Sequence, residues 1–203
     1  MKFVTEKAKI VESLQNAAAI AERRQTIPIL ANLRLKTIDG RLEVTATDLE
    51  IQIKTFSDLL EIKEEGETTV SARKMSELCR SLPDNENVEF CLEKGKLSVS
   101  SRNFNADFAT ISSDDFPEIE INEEQRPISI DSAKFKRVLS KTSFSMASQD
   151  VRYYLNGMLL EIGAGKINGV ATDGHRLAFS SVEAASTELE TRNILPRKAV
   201  LEL

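Results

Sequence analysis

Three times along the chain an alternation of apolar and polar residues starts directly after a glycine: Gly40-Arg41-Leu42-Glu43-Val44, Gly95-Lys96-Leu97-Ser98-Val99 and Gly165-Lys166-Ile167. Each follows another strand-like run, so each predicts a hairpin. Glycine supplies the backbone freedom of the turn, and the two-residue period gives the new strand one apolar face. Ahead of each hairpin lies a helix-like stretch with basic residues, at roughly 7–24, 72–82 and 132–146, and a fourth begins near 196. These starts are 65, 60 and 64 residues apart, so the building unit is a half-domain of one helix and several strands. The chain holds three such units and the opening of a fourth.

The half-domains pair into a larger repeat. Leu30-Ala31-Asn32-Leu33-Arg34-Leu35 matches Leu155-Asn156-Gly157-Met158-Leu159-Leu160, and Ala46-Thr47-Asp48 matches Ala171-Thr172-Asp173, both at an offset of 125 residues. Ala8-Lys9 and Ala133-Lys134 share that offset, while Ala72-Arg73-Lys74 and Pro196-Arg197-Lys198 keep it within one residue. Between the copies, Ser112-Ser113-Asp114-Asp115-Phe116-Pro117 and the acidic stretch from Glu118 to Glu124 predict an exposed connector, because proline and clustered like charges resist packing. The expected organisation is one domain over 1–120, a linker over 121–126 and a second domain over 127–203. The second copy reaches Leu203 just inside its second helix, and a helix whose apolar face has no sheet to cover it is unstable alone. The expectation is a piece of a longer chain, its second domain incomplete. The fold class is α+β: half-domains that each pack a helix on a curved antiparallel sheet.

With 203 residues and 41% hydrophobic content the chain can bury one large core or two small ones. No apolar run approaches the roughly 20 residues that span a bilayer, and the charged, periodic start contains no signal-peptide core. A cytoplasmic protein away from membranes is therefore expected. The net charge of −5 argues against a nucleic-acid partner until the charges are placed. The helix-like stretches carry net charges of +2 (7–24), +2 (72–82), +4 (132–146) and +1 (196–203), which leaves −14 for strands and loops. Quasi-equivalent half-domains put their helices on one face, and such a face would be positive inside a negative body. It could hold a duplex by its phosphates without reading bases. For any single helix the competing reading is a solvated face; the same bias in four helices favours the first.

Catalytic chemistry has little footing. Asp173-Gly174-His175 sets an aspartate beside the single histidine, as general acid–base work would need. Yet no Ser or Cys sits in a nucleophile elbow and there is no GxxxxGK[ST] phosphate loop. Thr47-Asp48 also recurs at Thr172-Asp173 with no histidine beside the first copy, which marks a shared structural turn. Cys79 and Cys91 lack metal-ligand spacing, so free structural thiols are expected, with no metal and no cofactor. A scaffold that binds peptides and never meets DNA is the other reading, and the basic helices discriminate between the two.

Gln149-Asp150-Val151-Arg152-Tyr153-Tyr154-Leu155-Asn156-Gly157-Met158, followed by Val170-Ala171-Thr172-Asp173-Gly174-His175-Arg176-Leu177-Ala178, is similar to the most distinctive stretch of the bacterial sliding clamps, the DNA polymerase III beta subunit family. Met1-Lys2-Phe3, Pro28-Ile29-Leu30, Thr47-Asp48-Leu49-Glu50, Ala72-Arg73-Lys74 and Asp115-Phe116-Pro117 also fit, so the resemblance covers essentially the whole chain. It implies the DNA clamp fold, with helices lining an inner face and sheets outside. It implies three similar domains, of which the third is absent here, and a homodimer closed head to tail around duplex DNA. The implied function is that of a processivity factor, a non-catalytic subunit of the DNA polymerase III holoenzyme. Implied partners are double-stranded DNA bound without sequence preference, the DNA polymerase III alpha subunit, a clamp loader, and other polymerases and repair factors that insert short peptides into a cleft.

Carried onto matching positions, Leu155, Thr172, Gly174, His175, Arg176 and Leu177 would form one wall of that cleft. Leucines offer apolar contact, Gly174 allows close backbone approach and Arg176 can lay its aliphatic stem over the pocket. For DNA the resemblance implies Arg24, Gln149, Tyr153, Tyr154, Arg197 and Lys198, with Arg73 in the channel and Lys74 facing the subunit interface. Tyr153 and Tyr154 keep a competing reading, as core packing or the start of a strand.

Overall fold

The computed structural model describes residues 1–21, 27–84, 86–119, 128–184 and 190–203. The chain divides into two compact units, Met1–Glu120 and Ile121–Leu203. The expected linker, 121–126, lies outside the described residues.

In the first unit β1 (Lys2–Glu6) runs directly into α1 (Lys7–Ile20), then a 3₁₀ turn (Pro28–Ala31), β2 (Asn32–Ile38), β3 (Arg41–Thr47), β4 (Gln52–Asp58) and a short β5 (Glu61–Glu64). The plan then repeats as β6 (Glu67–Ser71), α2 (Ala72–Ser81), β7 (Asn87–Glu93), β8 (Lys96–Ser101) and β9 (Phe104–Ile111). Their strands make one antiparallel sheet in the order β4-β3-β2-β6-β9-β8-β7-β1-β5. The order reveals an exchange: β1 pairs with β7 and β6 with β2, so the first strand of each half-domain completes the sheet of the other. The end of β9 pairs with β6, and β5, which continues β4 after Leu59 and Leu60, makes the matching pair with β1.

The helices follow from their apolar spacing. α1 buries Ile10, Leu14 and Ala17, and α2 buries Ala72, Met75 and Cys79, each three or four residues from the last. The two helices pack on each other and share one core with the sheet, in which Phe3 and Phe90 stack with ring centroids 4.7 Å apart. Burying each such side chain is worth about 1.5–3 kcal/mol, against the entropy of ordering the chain. All three expected hairpins form on two-residue turns. Asp39-Gly40, Lys94-Gly95 and Ala164-Gly165 have positive φ at both positions, the turn form whose twist suits a two-residue hairpin.

The second unit contains α3 (Ser132–Thr142), 3₁₀ turns at Ser143–Ser145 and Tyr153–Leu155, β10 (Gly157–Gly163), β11 (Lys166–Thr172), β12 (Leu177–Glu183), β13 (Thr191–Pro196) and α4 (Arg197–Glu202). The order β12-β11-β10-β13 repeats β4-β3-β2-β6. Strands β2, β3 and β4 reappear as β10, β11 and β12 at an offset of 125 with identical bounds. At the start of α3 the Asp131 carboxylate accepts a 2.8 Å bond from the Lys134 amide, satisfying a donor the helix leaves open. Val138, Leu139 and Thr142 turn inward.

Two helices are shorter than expected. α1 ends at Ile20, with Ala21 already extended, and the remaining residues to 24 are outside the described set. α3 ends at Thr142, whose hydroxyl donates back to the Val138 carbonyl at 2.8 Å, and the next three residues tighten into a 3₁₀ turn. Cys79 and Cys91 are free thiols, as expected, and burial pushes the Cys79 thiol up to about 12. Among the described residues no helix is long and apolar enough to cross a membrane.

Candidate functional site

The turn from β11 to β12 explains why threonine and aspartate recur. Gly174 N donates to Thr172 Oγ1 at 3.1 Å, and the Thr172 hydroxyl donates to the Arg176 carbonyl at 2.7 Å. The amides of His175 and Arg176 donate to Asp173 Oδ1 at 3.0 and 2.9 Å. In the first unit Thr47 and Asp48 make the same four bonds, to Leu49, Ile51, Glu50 and Ile51, at 3.1, 2.8, 3.1 and 3.0 Å. The Asp173 carboxylate is thus held by backbone amides, and these bonds, with the Arg176 side chain, lower it to about 2. The Asp173 carboxylate is committed to the turn, as Asp48 is in the first unit.

Residues 147–156 fold back against this turn. Ala147 N donates to the Leu155 carbonyl at 3.0 Å, and Asn156 clasps Asp150 through two 2.9 Å bonds. Asp150 takes the Arg152 amide and guanidinium, and that guanidinium lies where a Cβ on Gly174 would fall, 3.2 Å away. Gly174 has φ +89°, so both its backbone and its missing side chain suit the site. The Arg176 guanidinium lies 5.8 Å from the centroid of Phe144 and pairs with Asp173 at 2.9 Å. The expected cleft residues are consequently close together: Leu155 is buried beneath, Thr172 is half-buried, and Gly174, His175, Arg176 and Leu177 are exposed. Arg152, Phe144 and Phe179 join this surface without having been expected. The Asp150-x-Arg152 spacing was the readable signal for the first; the two phenylalanines carry none that separates them from core residues.

Tyr153 and Tyr154 are exposed in a 3₁₀ turn, 82% and 52% accessible, with rings edge to face at 6.0 Å. Neither is core nor begins a strand. Gln149 is exposed beside them with φ +60°. Arg197 and Lys198 open α4 and are half-buried, with the Arg197 guanidinium donating to the Met146 carbonyl at 3.2 Å. Arg24 lies outside the described residues.

The basic side chains sort unevenly. On α3, Lys134, Lys136, Arg137 and Lys141 are all exposed opposite the buried face; Lys134 donates to the Glu183 carbonyl, while the other three make no ion pair among the described residues. On α2, Arg73, Lys74 and Arg80 are exposed, and Arg73 holds Glu77 at 2.8 Å. Arg73, Glu77 and Arg80 border a groove of about 410 Å³ between α1 and α2. Lys7 departs from the expected pattern. It is buried, donates to the Leu82 carbonyl at the end of α2 and pairs with Asp84, so its charge closes a helix instead of facing outward.

Residues 1–120 match the family model described as DNA polymerase III beta subunit, N-terminal domain, and residues 129–203 match its central domain. The beta sliding clamps of Pseudomonas aeruginosa and Escherichia coli are 40% and 39% identical to the chain over its whole length. The chain spans 56% of the length of each of those relatives. The crystal structure of the DNA polymerase III subunit beta from Pseudomonas aeruginosa matches all of this chain and 55% of its own with a TM-score of 0.93 at 39% identity. A DNA polymerase sliding clamp from Caulobacter crescentus matches with a TM-score of 0.92 at 31% identity, over all of this chain and 56% of its own. On sequence and on fold, the chain belongs to the DNA polymerase III beta subunit family, the bacterial beta sliding clamps.

Proposed function

We propose that this chain forms part of a ring that encircles duplex DNA without sequence preference and tethers the replicative polymerase, acting by topology instead of catalysis. A closed ring slides while staying linked to its DNA, so weak phosphate contacts suffice, and a tethered polymerase gains a high effective concentration at the primer end. The observation that carries this is the exposed basic row of Lys136, Arg137 and Lys141 on α3, unpaired among the described residues, in a chain of net charge −5. Arg73 and Arg80 beside the α1–α2 groove support it. The family resemblance adds Arg24, Gln149, Tyr153, Tyr154, Arg197 and Lys198 as proposed DNA contacts, with the tyrosines free to stack on bases or lie along a groove.

The second part of the proposal is a peptide-docking wall made by Leu155, Thr172, Gly174, His175, Arg176 and Leu177. Leu177 is 65% exposed and Phe144 58%, an apolar surface held in place by the Thr172–Arg176 turn. The alpha subunit of DNA polymerase III, the clamp loader and repair factors are the proposed occupants, and the full-length protein is a homodimer in the bacterial cytoplasm.

Reversing Lys136, Arg137 and Lys141 to glutamate in the full-length protein should shorten its retention on loaded circular DNA. It should also lower the salt slope of binding by about 1 for each phosphate that is no longer neutralised. Unchanged retention and slope would favour a scaffold that never meets DNA.

A further inference from the structure

We propose that the two copies share the grip on the duplex unequally: α3 of the second unit holds phosphates, and its counterpart α1 in the first unit is electrostatically silent. This rests on reading the chain as part of a ring around DNA, and it says which side chains bear the contact. The 125-residue offset carries Lys134, Arg137 and Lys141 back to Lys9, Glu12 and Asn16. In the first unit, where α1 packs against α2, those three positions are all exposed. A second helix packed on α3 in the same way therefore leaves Lys134, Arg137 and Lys141 open. Lys136 is not counted with them, because its match Val11 packs half-buried on the core.

The three α3 residues form one row. Spacings of three and four residues keep them within about 60° of helix arc, over a length of about 10 Å. All three are cations, and α3 contains no acid. Lys134 donates to the Glu183 carbonyl, a neutral acceptor that leaves its charge in place, and Arg137 and Lys141 form no ion pair among the described residues. The matching positions on α1 hold one lysine, one glutamate and one asparagine, and Lys9 also lies 3.8 Å from Glu6. Like charges three and four residues apart repel, so the α3 row weakens its own helix until an anion lies across it, whereas Lys9 and Glu12 attract. A solvated face is served by either set of charges; only the all-positive row fits a polyanion. One strand of a duplex presents a phosphate about every 3.4 Å of axis, so a row of about 10 Å can meet up to three.

The test loads the full-length protein on duplex DNA and follows its escape from linear molecules at several salt concentrations. Lys134→Gln/Arg137→Gln/Lys141→Gln should slide off faster than the parent at low salt and lower the salt slope of retention by about 2 to 3. Lys9→Gln/Glu12→Gln should change that slope by less than about 0.5. Glu12→Arg/Asn16→Lys, which copies the α3 row onto α1, should slow escape and raise the slope by about 2. A shift of the same size in both neutralised variants, or no gain from the third, would overturn the proposal. Closed circular DNA tells this failure from a failure of the ring reading. If the unsubstituted protein leaves circular and linear DNA at the same rate, the ring is refuted, while the order of the three slopes still decides how the two units share the contact.

Discussion

The Thr47–Ile51 and Thr172–Arg176 turns share the four bonds made by their threonine and aspartate side chains yet carry different surfaces. In the first unit Leu49, Glu50 and Ile51 occupy the tip; in the second Gly174, His175 and Arg176 do. Leu30 and its match Leu155 are both buried, but Ile29 is buried against Phe116 where its match Tyr154 is half open. What the two copies share is therefore scaffold, and what distinguishes them is the candidate site. The Asp–His pair that looks chemical in one copy is, in both, the way the chain turns between two strands.

The same comparison reaches the core and makes its strongest prediction there. Gly169 matches Val44, and a Cβ on Gly169 would fall 2.4 Å from Val138 Cγ1 on α3. Val138 in turn matches Ser13 on α1. Each copy fills the helix–sheet gap once, from the strand in the first unit and from the helix in the second. Gly169→Val should then destabilise the second unit by about 3 kcal/mol through overpacking, read as faster hydrogen exchange in β10 and β11. Adding Val138→Ser should restore more than half, since it recreates the first unit's pairing. No recovery in the double variant would mean that the copies do not pack equivalently.

Next in size is the threonine itself. Thr47 is 1% exposed and joins Leu49 N to the Ile51 carbonyl, so Thr47→Val should cost about 2 kcal/mol by leaving both without a partner. Thr172→Val, at a half-buried position that water can reach, should cost about 1 kcal/mol in the same melting experiment. A larger loss at Thr172 would reverse the assignment of which turn is the more enclosed.

Much of this was legible before any coordinates. The glycines at 40, 95 and 165 placed three hairpins, and the 125-residue offset tied β2 and β3 to their copies, because turn chemistry and period-two patterning are local. The exchange of β1 and β6 between half-domains was not legible, since strand pairing at long range leaves no local mark. The burial of Lys7 escaped for a related reason: a basic residue on a helix looks the same whether it faces solvent or the carbonyl end of another helix. At the site, Leu155 and the Thr172–Leu177 segment were named by resemblance, and Arg152 was missed because its role depends on the space left by Gly174.

A smaller effect separates the turn tips. Leu49 holds φ at +77°, where Gly174 sits in the other copy at +89°. A side chain in this region costs about 1–2 kcal/mol, partly offset by the greater freedom glycine has in the unfolded chain. Leu49→Gly should therefore stabilise the first unit by about 0.5 kcal/mol, and Gly174→Leu should destabilise the second by about 1 kcal/mol while displacing Arg152. Both follow from thermal melts. Stabilisation by the second substitution would show that Gly174 is not required by the turn.

The smallest effect is a titration. The Asp173 carboxyl, ordinarily at 3.8, is lowered to about 2, chiefly by the amides of Arg176 and His175 and further by the Arg176 guanidinium. The folded form therefore releases this proton more readily than the unfolded form. Between pH 2 and 3.8 the unfolded chain binds more proton, so the group's contribution is complete above 3.8 and is lost as pH falls toward 2. Carbon-13 NMR of the Asp173 carboxyl should show a midpoint near 2. Arg176→Ala should raise that midpoint only in part, because the two backbone amides that dominate stay in place, whereas the side-chain pair alone is exposed enough for salt to weaken it. A midpoint at the ordinary 3.8 in the unsubstituted protein would mean that those amides do not converge on the carboxylate. The turn would then not be the twin of Thr47–Ile51.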